Sequence, residues 1–302
     1  MYVVTGATGR TGRVVVDELL RAGKRVRAIG RSARTLEPLR VDGAGTVVAE
    51  PTDRAALTEA FTGADGVYLM VQPNYIPDSP DFPAHQRAIV DAMTAALSSA
   101  GAARIVTLSS WGADKAGGTG PVAGLHYLEE RVNTLGAAVR HLRAGYFMEN
   151  LLGQLENVRT GHVVAAPFDP GIALPFVAAA DIGRAAARCL TGETTAVPGT
   201  PEILELHGER DLTMREVTAV ISALTARPDL RYVRQTVAEF AAEQRRAGVS
   251  ENVVGLMVEV AHAINSGHTA TRQPRTARTT TPTSIETFVT EVLLPALGSR
   301  VP

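Results

Sequence analysis

The chain has 302 residues, 45% hydrophobic and 20% charged, the balance of an ordinary globular protein of one large domain or two closely joined ones. A net charge of −1 gives no general attraction to nucleic acid or to an anionic membrane, and the single cysteine, Cys189, excludes an intrachain disulfide. No apolar run approaches the roughly twenty residues of a membrane span, and strand-like sequence starts at residue 2, without a cleavable signal, so a cytoplasmic protein is expected.

Tyr2-Val3-Val4 reads as a buried parallel strand and leads into Thr5-Gly6-Ala7-Thr8-Gly9-Arg10-Thr11-Gly12. Apolar residues at helical spacing follow from Val14 to Ala22, Gly23 closes that helix, and Val26-Arg27-Ala28-Ile29 is a second strand ending at Gly30-Arg31. Strand, glycine turn, helix and strand within about thirty residues open a dinucleotide-binding fold. Gly6 permits the turn, Gly9 lets the backbone approach a pyrophosphate, and Gly12 lets the helix pack closely on the sheet. The helix start offers unpaired N–H groups and partial positive charge to phosphates, with Thr8, Arg10 and Thr11 beside them. At the second strand's tip an acidic residue would hold a ribose 2′-hydroxyl, whereas arginine accommodates a 2′-phosphate. The residue is Arg31, followed by Ser32 and Arg34, and Arg10 inside the glycine loop can add a second guanidinium, which predicts NADPH over NADH; the other reading of Arg31 is a solvated surface arginine.

Strands and helices alternate on to residue 143. Further strands are read at Val47–Ala49, Gly66–Val71, Arg104–Leu108 and Ala138–Arg143, with helices at Arg54–Phe61 (capped by Asp53), about Ala84–Ala100, and Leu125–Leu135. A proline-rich loop covers 75–83. This succession implies an α/β fold, a Rossmann-type doubly wound parallel sheet with both faces covered. Its ligand belongs beyond the carboxyl ends of the strands: the glycine loop, Arg31, Thr52, Val71-Gln72-Pro73, Ser109-Ser110 and Tyr146-Phe147. After residue 144 helical patterns dominate, with short strands such as Ile203–Leu206 and Leu230–Val233, and are read as a smaller lid that shapes a pocket.

The Gly-x-x-Gly-x-x-Gly spacing resembles that of the extended and atypical short-chain dehydrogenase/reductase families. Residues 5–12, 26–31, 66–69, 105–110, 126–130, 142–151, 174–177, Asp181-Ile182 and Arg275-Thr276 together resemble the NmrA-like atypical branch, which includes NADPH-dependent quinone reductases and redox-sensing regulators. The stretch Leu142-Arg143-Ala144-Gly145-Tyr146-Phe147-Met148-Glu149-Asn150 is the most telling. The resemblance implies that 176–192 returns to a nucleotide domain of residues 1–144, leaving 145–175 and 193–302 as a discontinuous, mainly helical substrate domain.

Most members of the wider superfamily use a tyrosine and a lysine four residues later to supply a proton and hold the nicotinamide ribose. Tyr127 with Arg131 imitates the spacing. Aligning Glu130 with the family's glutamate instead puts His126 at the lysine position and Val122 at the tyrosine's, so the usual acid is absent. His126, Ser110 and Tyr127 are the catalytic candidates, although His126 and the serines also suit local capping and Tyr127 suits packing. His126 and Ser109 are further candidates for cofactor contact. Trp111, Phe147, Met148 and Asn150 are candidate substrate contacts, an aromatic wall with one amide that suits a flat conjugated acceptor, core packing being the other reading of Phe147 and Met148.

No histidine stands at metal-ligand spacing with acids, and no metal is expected. Arg272, Arg275 and Arg278 read as a solvated surface cluster. The sequence points to a monomeric or homodimeric NADPH-dependent reductase of a small quinone, imine or enone, with a non-catalytic dinucleotide sensor as the rival.

Overall fold

The computed structural model describes residues 1–71, 78–192 and 196–298. The nucleotide-binding layer runs β1 (Tyr2–Val4), α1 (Arg10–Arg21), β2 (Val26–Gly30), α2 (Ala33–Val41), β3 (Gly45–Val48), α3 (Arg54–Phe61), β4 (Gly66–Met70), α4 (Phe82–Ala100), β5 (Arg104–Ser110), α5 (Ala123–Asn133) and β6 (Ala138–Ala144). The part read above as a lid begins with β7 (Tyr146–Phe147), β8 (Val163–Ala166) and β9 (Ala173–Val177). Then come α6 (Ala179–Thr191), β10 (Glu202–Leu206), β11 (Asp211–Thr213), α7 (Met214–Leu224), β12 (Arg231–Arg234), α8 (Val237–Arg246) and α9 (Glu251–Asn265).

Seven strands form one parallel sheet in the order β10-β6-β5-β4-β1-β2-β3. The chain winds outward from β1 to β3, then crosses to β4 on the other side, so the crevice where a doubly wound sheet takes its ligand opens between β1 and β4. Val3, Val4, Val67, Tyr68, Leu69, Ile105 and Val106 are buried, as strands covered by helices on both faces require. One core lies under α1 and α6, including Val15, Val16, Ile182 and Ala186; a second lies under α4 and α5, including Ile89, Met93, Leu128 and Val132.

A third core lies outside the large sheet. Met148, Leu151, Phe168, Phe176, Met214, Val217 and Phe288 pack there around two small sheets, β11-β9-β7 and β12-β8. The sequence reading placed the strand near 203–206 in the lid, yet β10 pairs with β6 and forms the edge of the large sheet. That edge is covered by the chain that follows α9. The Gln273 side chain accepts from Glu205 N at 3.0 Å and donates to Ile203 O at 2.9 Å, as a neighbouring strand would. Arg272, Arg275 and Arg278 are exposed, as read, but the first two are paired: Arg272 donates to Asp114 at 3.1 Å, and Arg275 pairs with Asp211 and donates to Gly208 O.

Candidate cofactor and active site

The glycine loop is stitched to β4 by its own threonines. Thr5 Oγ1 donates to Tyr68 O at 3.1 Å and accepts from Met70 N at 2.9 Å, while the Tyr68 hydroxyl donates to Thr11 Oγ1 at 3.0 Å. Burial pushes the Tyr68 phenol well above its ordinary value, so this hydroxyl stays a neutral donor. The sequence reading gave Thr11 to the cofactor. Its hydroxyl is buried and committed to Tyr68, which leaves only its backbone for a phosphate.

The turn itself is built for close approach. Gly6 sits at φ +59°, and a Cβ on Gly12 would lie 2.2 Å from Gly6 O. Gly9 occupies the N-cap of α1 without a side-chain cap, and no acidic residue stands in the first turn. The first N–H groups of α1 therefore have no intrahelical acceptor and no competing carboxylate of their own helix, and a missing Cβ leaves them reachable. Gly6, Gly9 and Gly12 thus fit a dinucleotide diphosphate. Thr8 and Arg10 are exposed beside them. Arg31 is exposed just past β2, and Ser32 is the N-cap of α2, its hydroxyl making no bond to that helix. Thr52 is exposed in the turn before α3, whose N-terminus Asp53 caps at 3.0 Å. Val71 is buried at the end of β4; Gln72 and Pro73 lie outside the described residues.

At β5 the two serines part company, because neighbours on a strand face opposite sides. Ser109 is buried and donates to Glu129 Oε1 at 2.5 Å. Arg143, its register partner on β6, donates to both oxygens of the same Glu129, at 3.0 and 2.6 Å. Ser109 is therefore a spoke of a buried charge network under α5 rather than a rim contact, a correction to its expected place at the cofactor. Ser110 is half-buried at the strand's last position. Trp111 is half-buried against the lid core, with its backbone N–H donating to Ala144 O at 3.0 Å.

On α5, Nδ1 of His126 lies 2.8 Å from Ala113 O, so Nδ1 carries a hydrogen and the ring pins the loop after β5. Its Nε2 stands 3.5 Å from Glu130, one turn on. Tyr127 points elsewhere: its hydroxyl donates to Asp91 of α4 at 2.8 Å, which removes it from the rim and from the catalytic candidates. The bond to Asp91 raises its pKa, the wrong direction for an acid near neutrality. Glu130 is exposed, whereas Glu129 is the buried, paired glutamate. Counting from Glu129 puts Leu125 at the lysine position and Pro121 at the tyrosine's, so either frame lacks the usual pair.

Past β6, Tyr146 and Phe147 diverge as a strand dictates. Tyr146 packs edge-on against Phe168 and Phe176, with centroids 5.7 and 5.2 Å apart, inside the lid; Phe147 packs against the core under α1 and α6. Met148 is fully enclosed in the lid core, which corrects its expected role at the substrate. Asn150 is exposed. Between them lies Glu149, which the sequence reading did not single out, and whose carboxylate accepts from Ala179 N at 3.0 and 3.1 Å. Among the described residues no group of three or more His, Cys, Asp or Glu is placed to hold a metal, and no helix is long and apolar enough to cross a membrane.

The model of the NmrA-like family matches residues 2–242. The chain belongs to the NmrA-like family. It is 32% identical over 232 residues, 76% of this chain and 75% of the other, to the (4-alkanoyl-5-oxo-2,5-dihydrofuran-3-yl)methyl phosphate reductase of Streptomyces griseus subsp. griseus. It is 25% identical over 268 residues, 86% of each chain, to quinone oxidoreductase 2 of Escherichia coli. The fold superposes on the NADPH complex of the E. coli NADPH-dependent quinone oxidoreductase QOR2 with a TM-score of 0.81 at 22% identity, over 97% of this chain and 100% of that one. The NADP(H) complex of the Citrobacter sp. triphenylmethane reductase gives 0.75 at 19% identity, over 90% and 92% of the chains. These likenesses establish the Rossmann-type fold of this member of the family.

Proposed function

We propose that this NmrA-like protein is an NADPH-dependent reductase that passes hydride to a small conjugated acceptor, with a quinone preferred over an imine and an imine over an enone. The observation that carries the reading is the uncapped start of α1 behind a loop in which Gly12 has no room for a Cβ, with Arg31 at the tip of β2. The E. coli relative is a quinone oxidoreductase. The Streptomyces relative is a reductase whose named substrate has a ring double bond conjugated with two carbonyls. Both support an acceptor of this class.

The N–H groups of α1 and the backbone of Gly6 and Gly9 hold the diphosphate, and Arg31 and Ser32 take the 2′-phosphate. The bound nicotinamide supplies the hydride. Of the expected aromatic wall, Trp111 follows directly on β5 and would lie against a flat acceptor there, whereas Phe147 packs on the core under α1 and α6. Ser110, at the last position of β5, and His126, bonded to the loop that follows it, are the polar candidates there. With Nδ1 of His126 donating to Ala113 O, its Nε2, 3.5 Å from Glu130, is the ring atom left to bond the ribose or the acceptor oxygen. A conjugated acceptor spreads the charge it gains, so the chain's main task is to position its reactants, which accords with a site lacking the Tyr and Lys pair.

That same absence favours a second reading, a dinucleotide sensor without turnover. Calorimetric titration of the wild type and of Arg31→Glu with NADPH, NADP⁺, NADH and NAD⁺ separates them, followed by NADPH oxidation with a panel of quinones. A reductase shows phosphate preference, a loss of about tenfold or more in NADPH affinity for Arg31→Glu, and quinone-dependent oxidation. Unchanged NADPH affinity in Arg31→Glu removes the role of Arg31. Preference for oxidised forms regardless of phosphate, with no turnover, makes the protein a sensor.

A further inference from the structure

The segment that follows α9 lies along the loop that follows β5. Nε2 of His268 stands 3.1 Å from Gly117 O. The methyl of Thr269 fills the space beside Gly112, where a Cβ would stand 2.7 Å from it. Arg272 donates through Nε to Asp114 Oδ2 at 3.1 Å. Lys115 reaches the same oxygen at 2.9 Å, but it is the neighbour of Asp114 in the loop, so that pair cannot fasten the loop to another element. The other side of the segment is fastened to the large sheet. Glu205, buried in β10 opposite Arg143, accepts Arg272 N at 2.7 Å and Gln273 N at 2.8 Å on one carboxylate oxygen. The Gln273 side chain bonds the backbone of β10 on both sides, at Glu205 N and Ile203 O.

An exposed arginine gives up side-chain freedom to hold a partner, which cancels much of the gain from the ion pair. The backbone of Arg272 is already fixed by a buried carboxylate, so only its side chain is ordered when it meets Asp114. The loop it meets begins with Trp111 and carries the Ala113 carbonyl that lies 2.8 Å from Nδ1 of His126. We propose that Arg272 is a positioning residue for the acceptor site: pinned by Glu205 on β10, it holds Asp114, and with it the loop that places Trp111 and His126 beyond the end of β5. The assignment rests on the acceptor side of the proposed function and is independent of how the diphosphate is held.

Trp111 is the only tryptophan of the chain, so its fluorescence reports this loop directly. The test compares the wild type with Arg272→Ala, Asp114→Ala, the double variant and Arg272→Lys. Each is read by tryptophan emission and acrylamide quenching without cofactor, thermal unfolding, NADPH titration and steady-state quinone reduction. The Arg272 side chain is 53% exposed, so its loss leaves no hole in the core. Arg272→Ala is expected to keep its Tm within about a degree or two, to shift its emission to the red and to quench more readily. Its kcat/KM for quinone should fall about threefold to fivefold, with a smaller change in NADPH affinity. Asp114→Ala should lose as much, the double variant no more than either, and Arg272→Lys should recover part of the loss. Wild-type emission or wild-type turnover in Arg272→Ala overturns the proposal, whatever its Tm, and so do losses that add in the double variant. Arg272→Ala and Arg272→Lys suffice if Asp114→Ala does not fold. A wild type that reduces no quinone refutes the acceptor reading and this role with it, whereas a wild type that turns over beside an unaltered Arg272→Ala refutes the role of Arg272 alone.

Discussion

Gly12→Ala is the sharpest test of the cofactor cradle, because everything its methyl would meet is backbone. The added Cβ would stand 2.2 Å from Gly6 O, 2.8 Å from Gly6 C and 3.0 Å from Ala7 Cα. An ordinary contact is about 3.5 Å, so the start of α1 must retreat from the loop by about 1 Å. Overpacking of this kind costs about 1–3 kcal/mol, a few degrees in Tm. Binding suffers more. The retreat pulls the helix N–H groups off the phosphate position, and a hydrogen bond to a charged group is worth about 1.5–3 kcal/mol. Each one lost weakens NADPH by roughly tenfold or more. The assay is thermal unfolding with and without NADPH. Gly12→Ala is expected to melt a few degrees lower and to lose most of its ligand-induced shift. Gly63→Ala is the control: a Cβ there meets nothing within 4 Å, although Gly63, unlike the helical Gly12, has a positive φ of +72°. It should lose about 1–2 kcal/mol of stability through backbone strain and keep the full shift. A Gly12→Ala protein with the wild-type ligand shift would show that the cofactor does not sit on this loop.

Two further predictions concern histidines. His141 is buried in β6, where Nδ1 accepts from Thr107 Oγ1 at 2.7 Å and Nε2 donates to Asn133 Oδ1 at 2.9 Å. Burial lowers its pKa to about 4, with Arg143 lowering it further and Glu129 opposing. A base depressed in the folded state contributes stability that is present above its ordinary value near 6.5 and is lost as pH falls through that value toward 4. At most about 3 kcal/mol is lost over that window, and denaturant titrations should show His141→Asn nearly free of this part of the slope; an equal slope in both proteins rejects the assignment. For His126→Ala the expectation is a fall in quinone turnover of about tenfold with a smaller change in NADPH affinity, measured by steady-state kinetics and titration. Intact turnover and binding would reduce His126 to a prop for the loop at Ala113.

The glycine loop was legible because its signal is local: one strand, one turn and one helix start within a short run. What stitches that loop in place was not. Thr5 and Thr11 need Tyr68, and only the crossing of the chain from β3 to β4 brings β4 alongside β1. Ser109 and Ser110 were equally ambiguous, since a parallel sheet covered on both faces has apolar residues on each side and weak alternation. The helix was more readable. Leu128, Glu129 and Val132 share one face at 3.6-residue spacing, which makes Glu129 the inward member of the pair and Glu130 the outward one.

Charges carried the largest surprise. Glu205 looks solvent-facing in a short strand, yet it is buried and accepts the N–H groups of Arg272 and Gln273 at 2.7 and 2.8 Å. Arg272 in turn holds Asp114, and Thr269 presses on Gly112, where a Cβ would lie 2.7 Å from its methyl. These contacts tie the segment after α9 to the loop that carries Trp111 and the Ala113 carbonyl bonded to His126. A late, polar stretch of sequence that reads as surface thus fixes one wall of the proposed site. Its residues are distant from that wall in the chain, and only the pairing of β10 with β6 brings the two together.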